Sequence, residues 1–193
     1  GVELPENTVS FNGQTRYRIS GEENQISLAV SACEKALENT GIKIDDIDCI
    51  VSASAVGIQP IPCTAALIHE RIAKGTSIPA LDINTTCTSF MTAMDTMSYL
   101  VEAGRYKRVL IVSCDVASIA LNPKQKESFR LFSDGAAAFI IEKTEKETGV
   151  IDAMQKTWSE GAHSTEIRGG LSNLHPKNYS EETKEEFMFD MNG

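Results

Sequence analysis

At 193 residues the chain is about one domain long, and its 41% hydrophobic content with 13 glycines falls in the globular range, which excludes extensive disorder. A net charge of −9 argues against a general binder of phosphate backbones, so nucleic acid is not an expected partner. No stretch approaches the roughly 18 consecutive apolar residues of a membrane span. The opening Gly1-Val2-Glu3-Leu4-Pro5-Glu6 shows no basic-then-apolar leader, and a cytoplasmic location is expected.

Pro5, Asn7, Asn12, Gly13 and Gly21 give the first 21 residues a loop character with at most one brief strand, Thr15 to Ile19. Ser20 and Glu23 are spaced as a capping box, and the apolar positions from Ile26 to Leu37 recur at helical spacing up to Gly41. After the charged connection 43–48, the run from Cys49 to Val56 reads as a strand buried on both faces. Pro60 and Pro62 bracket Ile61 in an exposed turn, with Pro62 as first residue of a helix reaching Gly75 and His69 half-exposed on it.

Pro79 to Asn84 reads as a short buried strand, and Phe90, Met91, Met94, Met97, Tyr99, Leu100 and Val101 as a helix ending at Gly104. Cys87 lies at the junction, where helix N–H groups and the positive end of the dipole favour a thiolate, the nucleophilic form. The local pattern leaves open a plain buried cysteine.

A third buried strand, Arg108 to Cys114, follows, and strands alternating with helices imply a largely parallel sheet with helices on both faces. Functional groups gather beyond the carboxyl ends of such strands, where Cys87 and the Cys114-Asp115 pair fall. Residues 117–131, with Lys124, Lys126 and Arg130, read as a surface loop with a short helix. Phe132-Ser133-Asp134-Gly135 carries a turn signal, with turn chemistry the preferred role of Asp134. Ala136 to Glu142 reads as another buried strand, joined by a hairpin over 143–149 to Val150–Thr157. The remainder is polar, giving the division 1–158 as an α/β domain and 159–193 as an irregular segment. The five cysteines are scattered without a Cys-x-x-Cys pair, and neither they nor the three histidines show metal-ligand spacing, so reduced thiols and no metal are expected.

The order of Pro79 to Cys87, Thr88-Ser89-Phe90, Arg108 to Asp115 and Phe132-Ser133-Asp134-Gly135-Ala136-Ala137-Ala138, over about residues 15 to 145, resembles the thiolase-like condensing enzymes, and most closely beta-ketoacyl-acyl-carrier-protein synthase III. The resemblance implies that Cys87 accepts an acyl group from a coenzyme A thioester or acyl carrier protein, with its own backbone N–H as one oxyanion donor. Condensation by decarboxylation of a malonyl thioester would follow. It also implies roles for Lys126 near the coenzyme A nucleotide, for Ile61 at the end of the acyl pocket across a homodimer interface, and for Phe90 of the Cys-x-x-Phe helix start as a substrate-binding residue. No permanently bound cofactor is implied; coenzyme A thioester and acyl carrier protein are substrates.

The family also uses a histidine and an asparagine from a second half of similar topology, positions that His163 and His175 do not match. The chain is therefore expected to be the N-terminal half of such an enzyme, unable to complete condensation alone, with the family's first strand lying before Leu4-Pro5-Glu6 or lost. Thr85-Thr86 replaces the small, Ala-rich pair that often precedes the nucleophile. The alternatives are an acyltransferase of the same fold, or a non-catalytic partner or truncated subunit.

Overall fold

A computed structural model describes residues 8–11 and 13–191. The loop readings at Pro5, Asn7 and Asn12, and the chain end Asn192-Gly193, lie outside the described residues. The chain divides into two compact units, one formed by residues 22–115 and 135–153, the other by the described part of 1–21 with 116–134 and 154–191.

In the first unit the chain runs α1 (Gln25–Thr40), β3 (Cys49–Ser52), α2 (Thr64–Ile72), β4 (Ala80–Asp82), α3 (Ser89–Glu102), β5 (Arg108–Asp115) and β6 (Gly135–Glu142), the strands being numbered after the hairpin β1 (Thr8–Phe11) and β2 (Gln14–Tyr17) of the other unit. The sheet order is β4-β3-β5-β6, with β3 parallel to both neighbours and β6 antiparallel to β5. Side chains alternate across β3 and β5, and each set meets helices. Ile50, Leu110, Val112 and Cys114 join Ile26, Ala29 and Cys33 of α1 and Ile68 of α2. Cys49, Val51, Val109 and Ile111 join Ala93, Met97 and Val101 of α3 on the opposite face. The mixed, mostly parallel sheet with helices on both faces is as the sequence predicts.

Several boundaries differ. Helix α1 is capped by Asn24, whose side chain accepts from the Ile26 and Ser27 N–H groups while Ser27 Oγ accepts from the Asn24 N–H. The reciprocal box is therefore Asn24/Ser27, not Ser20/Glu23, and the helix ends at Gly41 in the left-handed region. Strand β3 stops at Ser52 and β4 covers only Ala80–Asp82. Helix α2 starts at Thr64, two residues after Pro62, because Asp82 supplies its cap from the neighbouring strand: its two oxygens accept from the Thr64 and Ala65 N–H groups at 2.8 and 2.7 Å. His69 is half-buried on this helix, with Nε2 3.1 Å from Thr76 Oγ1.

Strand β6 is an edge strand with alternating burial, and Phe139 is half exposed, so the doubly buried strand expected there is half-buried. No strand forms over 150–157; Val150, Ile151 and Met154 are exposed, and the expected hairpin is absent among the described residues. An edge is available on β6, but a short run with few apolar residues does not by itself pair with it.

In the other unit, β1 and β2 pair as an antiparallel hairpin where one brief strand was expected. Both are short and mostly polar, which leaves little periodic signal. Arg16 Nε donates to the Arg130 and Leu131 carbonyls at 3.1 and 2.8 Å, at the end of α4 (Lys126–Leu131). Asp134 is not turn chemistry. It accepts from the Ile19 N–H and from both the N–H and Oγ of Ser118 (2.8, 2.8 and 2.6 Å), and its own N–H donates to the Tyr17 carbonyl. Asp134 thus joins the end of the hairpin, through its N–H, and the following Ile19, through its carboxylate, to the 117–120 turn. The polar segment 159–191 holds short turns and the pair β7 (Thr165–Glu166) with β8 (Asp190–Met191). It is held by Arg168, which bonds Glu166, Glu186 and Asp190.

Leu110 is fully buried on β5 and Ile151 fully exposed. Leu110→Ala is expected to lower unfolding stability by about 2–5 kcal/mol, and Ile151→Ala to stay within about 0.5 kcal/mol, as measured by denaturant titration.

Candidate active site

The carboxyl ends of β3, β4 and β5 end in backbone groups with no further strand to bond, and polar side chains take them up. Cys114 N–H donates to Ser54 Oγ at 3.0 Å, and Ala55 N–H donates to the Asp115 carboxylate at 2.8 Å. Asn84 Nδ2 donates to the Ser54 and Ala55 carbonyls at 3.1 and 2.8 Å. These bonds join all three strand ends, and the Cys87 turn is built on them.

From β4, Ile83 N–H adds one more bond to the Ser52 carbonyl. The chain then turns through Asn84, Thr85 and Thr86. Asn84 Oδ1 accepts from the Thr86 N–H at 3.2 Å, and Thr86 has φ of 52°, a left-handed conformation rare for a β-branched residue. Ser89 secures the other side: its Oγ accepts from the Thr85 N–H at 2.9 Å and donates to the Thr86 carbonyl at 2.6 Å. Thr88 Oγ1 donates to the Thr85 carbonyl at 2.9 Å, and the Thr85 and Thr92 hydroxyls lie 2.7 Å apart. The Ala-rich pair is thus replaced by a hydroxyl network.

Cys87 is exposed and precedes the N-cap residue Thr88, two residues ahead of the first residue of α3. Its N–H finds no acceptor among the described residues. A free thiol beside an unused N–H is the arrangement needed to attack a carbonyl and hold the resulting oxyanion. Phe90, in the first turn of α3, is half-buried against the Val51 and Met97 cluster, with its ring 5.0 Å from that of Phe139. Ile61 is 83% exposed in the turn before α2, in the same unit, and its carbonyl accepts from Gln59 Nε2. Lys126 is exposed at the start of α4 in the other unit.

The other thiols are of two kinds. Cys33, Cys49 and Cys114 are buried, but Cys63 is exposed. Burial pushes Cys33 up to about 12 and also raises Cys49. Cys114 donates to the Gln25 carbonyl at 3.1 Å and is a core thiol. Among the described residues no group of three His, Cys, Asp or Glu side chains is placed to hold a metal, and no helix is long and apolar enough to cross a membrane. The residue that sequence reasoning missed is Asn84, read as the end of a strand; the available signal was an Asx residue two positions before Thr86.

This mixed α/β sheet with helices on both faces is a thiolase-like fold, as its superposition on solved structures shows. A structure of 3-oxoacyl-(acyl-carrier-protein) synthase III superposes with a TM-score of 0.83 at 23% identity, over 93% of this chain and 56% of that one. The Thermus thermophilus synthase III gives 0.79 at 24% identity, over 93% and 54%. Residues 81–158, which contain Cys87, match the 3-oxoacyl-[acyl-carrier-protein (ACP)] synthase III family. A beta-ketoacyl-[acyl-carrier-protein] synthase III of Clostridium perfringens is 33% identical over 184 residues, 95% of this chain and 56% of its own length. Synthase III 1 of Bacteroides thetaiotaomicron is 31% identical over 153 residues, 79% of this chain and 45% of its own length. The chain belongs to this thiolase-like synthase III family and spans about half the length of the curated relatives it matches.

Two outcomes follow from burial and charge. Under limiting iodoacetamide, peptide mapping is expected to find label on Cys87 and Cys63 first, and on Cys33, Cys49 and Cys114 only as the chain unfolds. Burial raises the Asp115 carboxyl above its ordinary value, against hydrogen bonds from the Ala55 and Val56 N–H groups and Ser113 that lower it. The folded chain holds this proton more tightly than the unfolded one. Its stabilising contribution is therefore full below the ordinary aspartate pKa and is lost as pH rises through the raised folded value. Asp115→Asn, whose amide oxygen still accepts from Ala55, is expected to flatten that part of the stability–pH curve in thermal melts.

Proposed function

We propose that the chain is the nucleophile-bearing, N-terminal half of an acyl-thioester condensing enzyme of the synthase III type. The reading rests on one observation above the others: the exposed Cys87 thiol, beside its own free N–H, on a turn fixed at the strand ends. In the first step the Cys87 thiolate attacks the carbonyl of an acyl-coenzyme A or acyl-carrier-protein thioester. The Cys87 N–H donates to the oxygen as charge develops, and the carrier thiolate leaves. In the second step a malonyl thioester loses carbon dioxide, and the resulting enolate carbon attacks the acyl-cysteine. Cys87 leaves as thiolate and a beta-ketoacyl thioester is formed.

The histidine and asparagine that the family uses for the second step belong to its other half, so this chain alone carries acylation and not condensation. Residues 1–158 form the thiolase-like domain in this reading, and 159–193 lead toward that half. Lys126 offers a cation to the phosphates of coenzyme A, and Ile61, exposed on its turn, contributes to the acyl pocket of a partner in a homodimer. Phe90, half-buried at the start of α3, serves as a substrate-binding residue in this reading. No cofactor is held between turnovers, and the reaction takes place in the cytoplasm.

The test is single-turnover incubation of the full-length protein with an acyl-coenzyme A, followed by peptide mass mapping. The acyl mass is expected on the peptide containing Cys87, and Cys87→Ala should lower acylation by more than about a thousandfold. Acylation at another residue, or undiminished product from Cys87→Ala, would contradict the assignment.

A further inference from the structure

We infer that Asn84 is a positioning residue for the nucleophile, holding Thr86 in its left-handed conformation and thereby aiming Cys87 and its N–H; this rests on Cys87 being the acylated residue. The side chain makes three bonds with distinct polarity. Its amide nitrogen donates to the Ser54 and Ala55 carbonyls, and its oxygen accepts from the Thr86 N–H. No other small side chain supplies two donors and an acceptor in one plane at this reach. Alanine loses all three bonds, and aspartate turns a carboxylate toward two carbonyl oxygens.

The need for such a hold is visible in the backbone. Thr86 is the one described residue other than glycine with positive φ, and it directly precedes Cys87. A β-branched residue is strained in that region and persists there only where its surroundings over-determine it. Asn84 grips one side of the turn and Ser89 the other. Ser54 and Ala55 are themselves fixed, through Ser54 Oγ to the Cys114 N–H and through the Ala55 N–H to Asp115. Asn84 therefore connects the strained residue to the rigid ends of β3 and β5. Without it, Thr86 relaxes to negative φ and rotates the peptide that carries the Cys87 N–H, although the thiol stays exposed.

The inference separates acyl transfer, which needs the thiol and the N–H aligned on one carbonyl, from simple alkylation, which needs the thiol alone. In the full-length protein, Asn84→Ala is expected to slow single-turnover acylation of Cys87 by roughly ten- to a hundredfold, the range that about 1 Å of misplacement brings. Half-saturation by acyl-coenzyme A should be unchanged. Asn84→Asp should be at least as slow. Iodoacetamide labelling of Cys87 relative to Cys63 should stay within about twofold, since alkylation needs no oxyanion donor.

Adding Thr86→Gly to Asn84→Ala should recover at least about threefold of the lost rate, because glycine adopts positive φ without the side-chain cost. Wild-type acylation in Asn84→Ala would overturn the inference. So would a rate loss accompanied by labelling of Cys33, Cys49 and Cys114, or one that Thr86→Gly does not relieve, since both mark a merely structural role. Cys87→Ala separates the two levels. If it still acylates, the nucleophile reading falls. If it is silent while the Asn84 variants keep the wild-type rate, only the positioning role falls.

Discussion

The burial of β3 and β5 on both faces is the constraint on which the rest of the first unit depends. Strands with apolar side chains on both faces require helices above and below, and α1, α2 and α3 supply them. With the faces closed, polar groups are confined to the strand ends. There the backbone still needs partners, because an unpaired buried N–H or C=O forfeits a hydrogen bond that water would have supplied. Asp82, Asn84, Ser54 and Asp115 supply them, and each bond fixes a loop that would otherwise be free.

Rigidity and reactivity meet at the same place. Cys87 is exposed on a turn whose preceding residue is strained, yet the turn has few ways to relax because both flanks are hydrogen-bonded. Four threonines and a serine within eight residues surround the thiol with hydroxyls, and their mutual bonds leave the Cys87 N–H unused. Under the proposed function this is preorganisation: the cost of aligning the donor would fall on folding and not on each reaction.

Much of this was legible in the sequence, for reasons that can be named. The runs at Cys49 and Arg108 are too short and too apolar to be anything but buried strands, and α1 and α3 show clean helical spacing with glycine at or just past their ends. Cys87 was legible as a junction residue because the apolar run breaks at three small polar residues. The spacing marks Ser20 and Glu23 as a box, but the helix starts later and is capped by Asn24 with Ser27, a pair without the usual Glu or Gln. Asp82 and Asp134 were read locally, but each bonds residues many positions away, and no local pattern carries that information. Val150 to Thr157 leaves the free edge of β6 unpaired, and its few apolar residues, Val150, Ile151 and Met154, stay exposed, so composition alone did not make it a strand.

Under the proposed function the turn at Thr86-Cys87 presents a nucleophile already aligned with its oxyanion donor. A crystal structure of the full-length protein trapped with an acyl-coenzyme A tests it directly. The account predicts continuous density from Cys87 Sγ to an acyl carbonyl, with that oxygen within hydrogen-bond distance of the Cys87 N–H and Thr86 still at positive φ. Acyl density on a different residue, or a Thr86 at negative φ in the acylated protein, would contradict it.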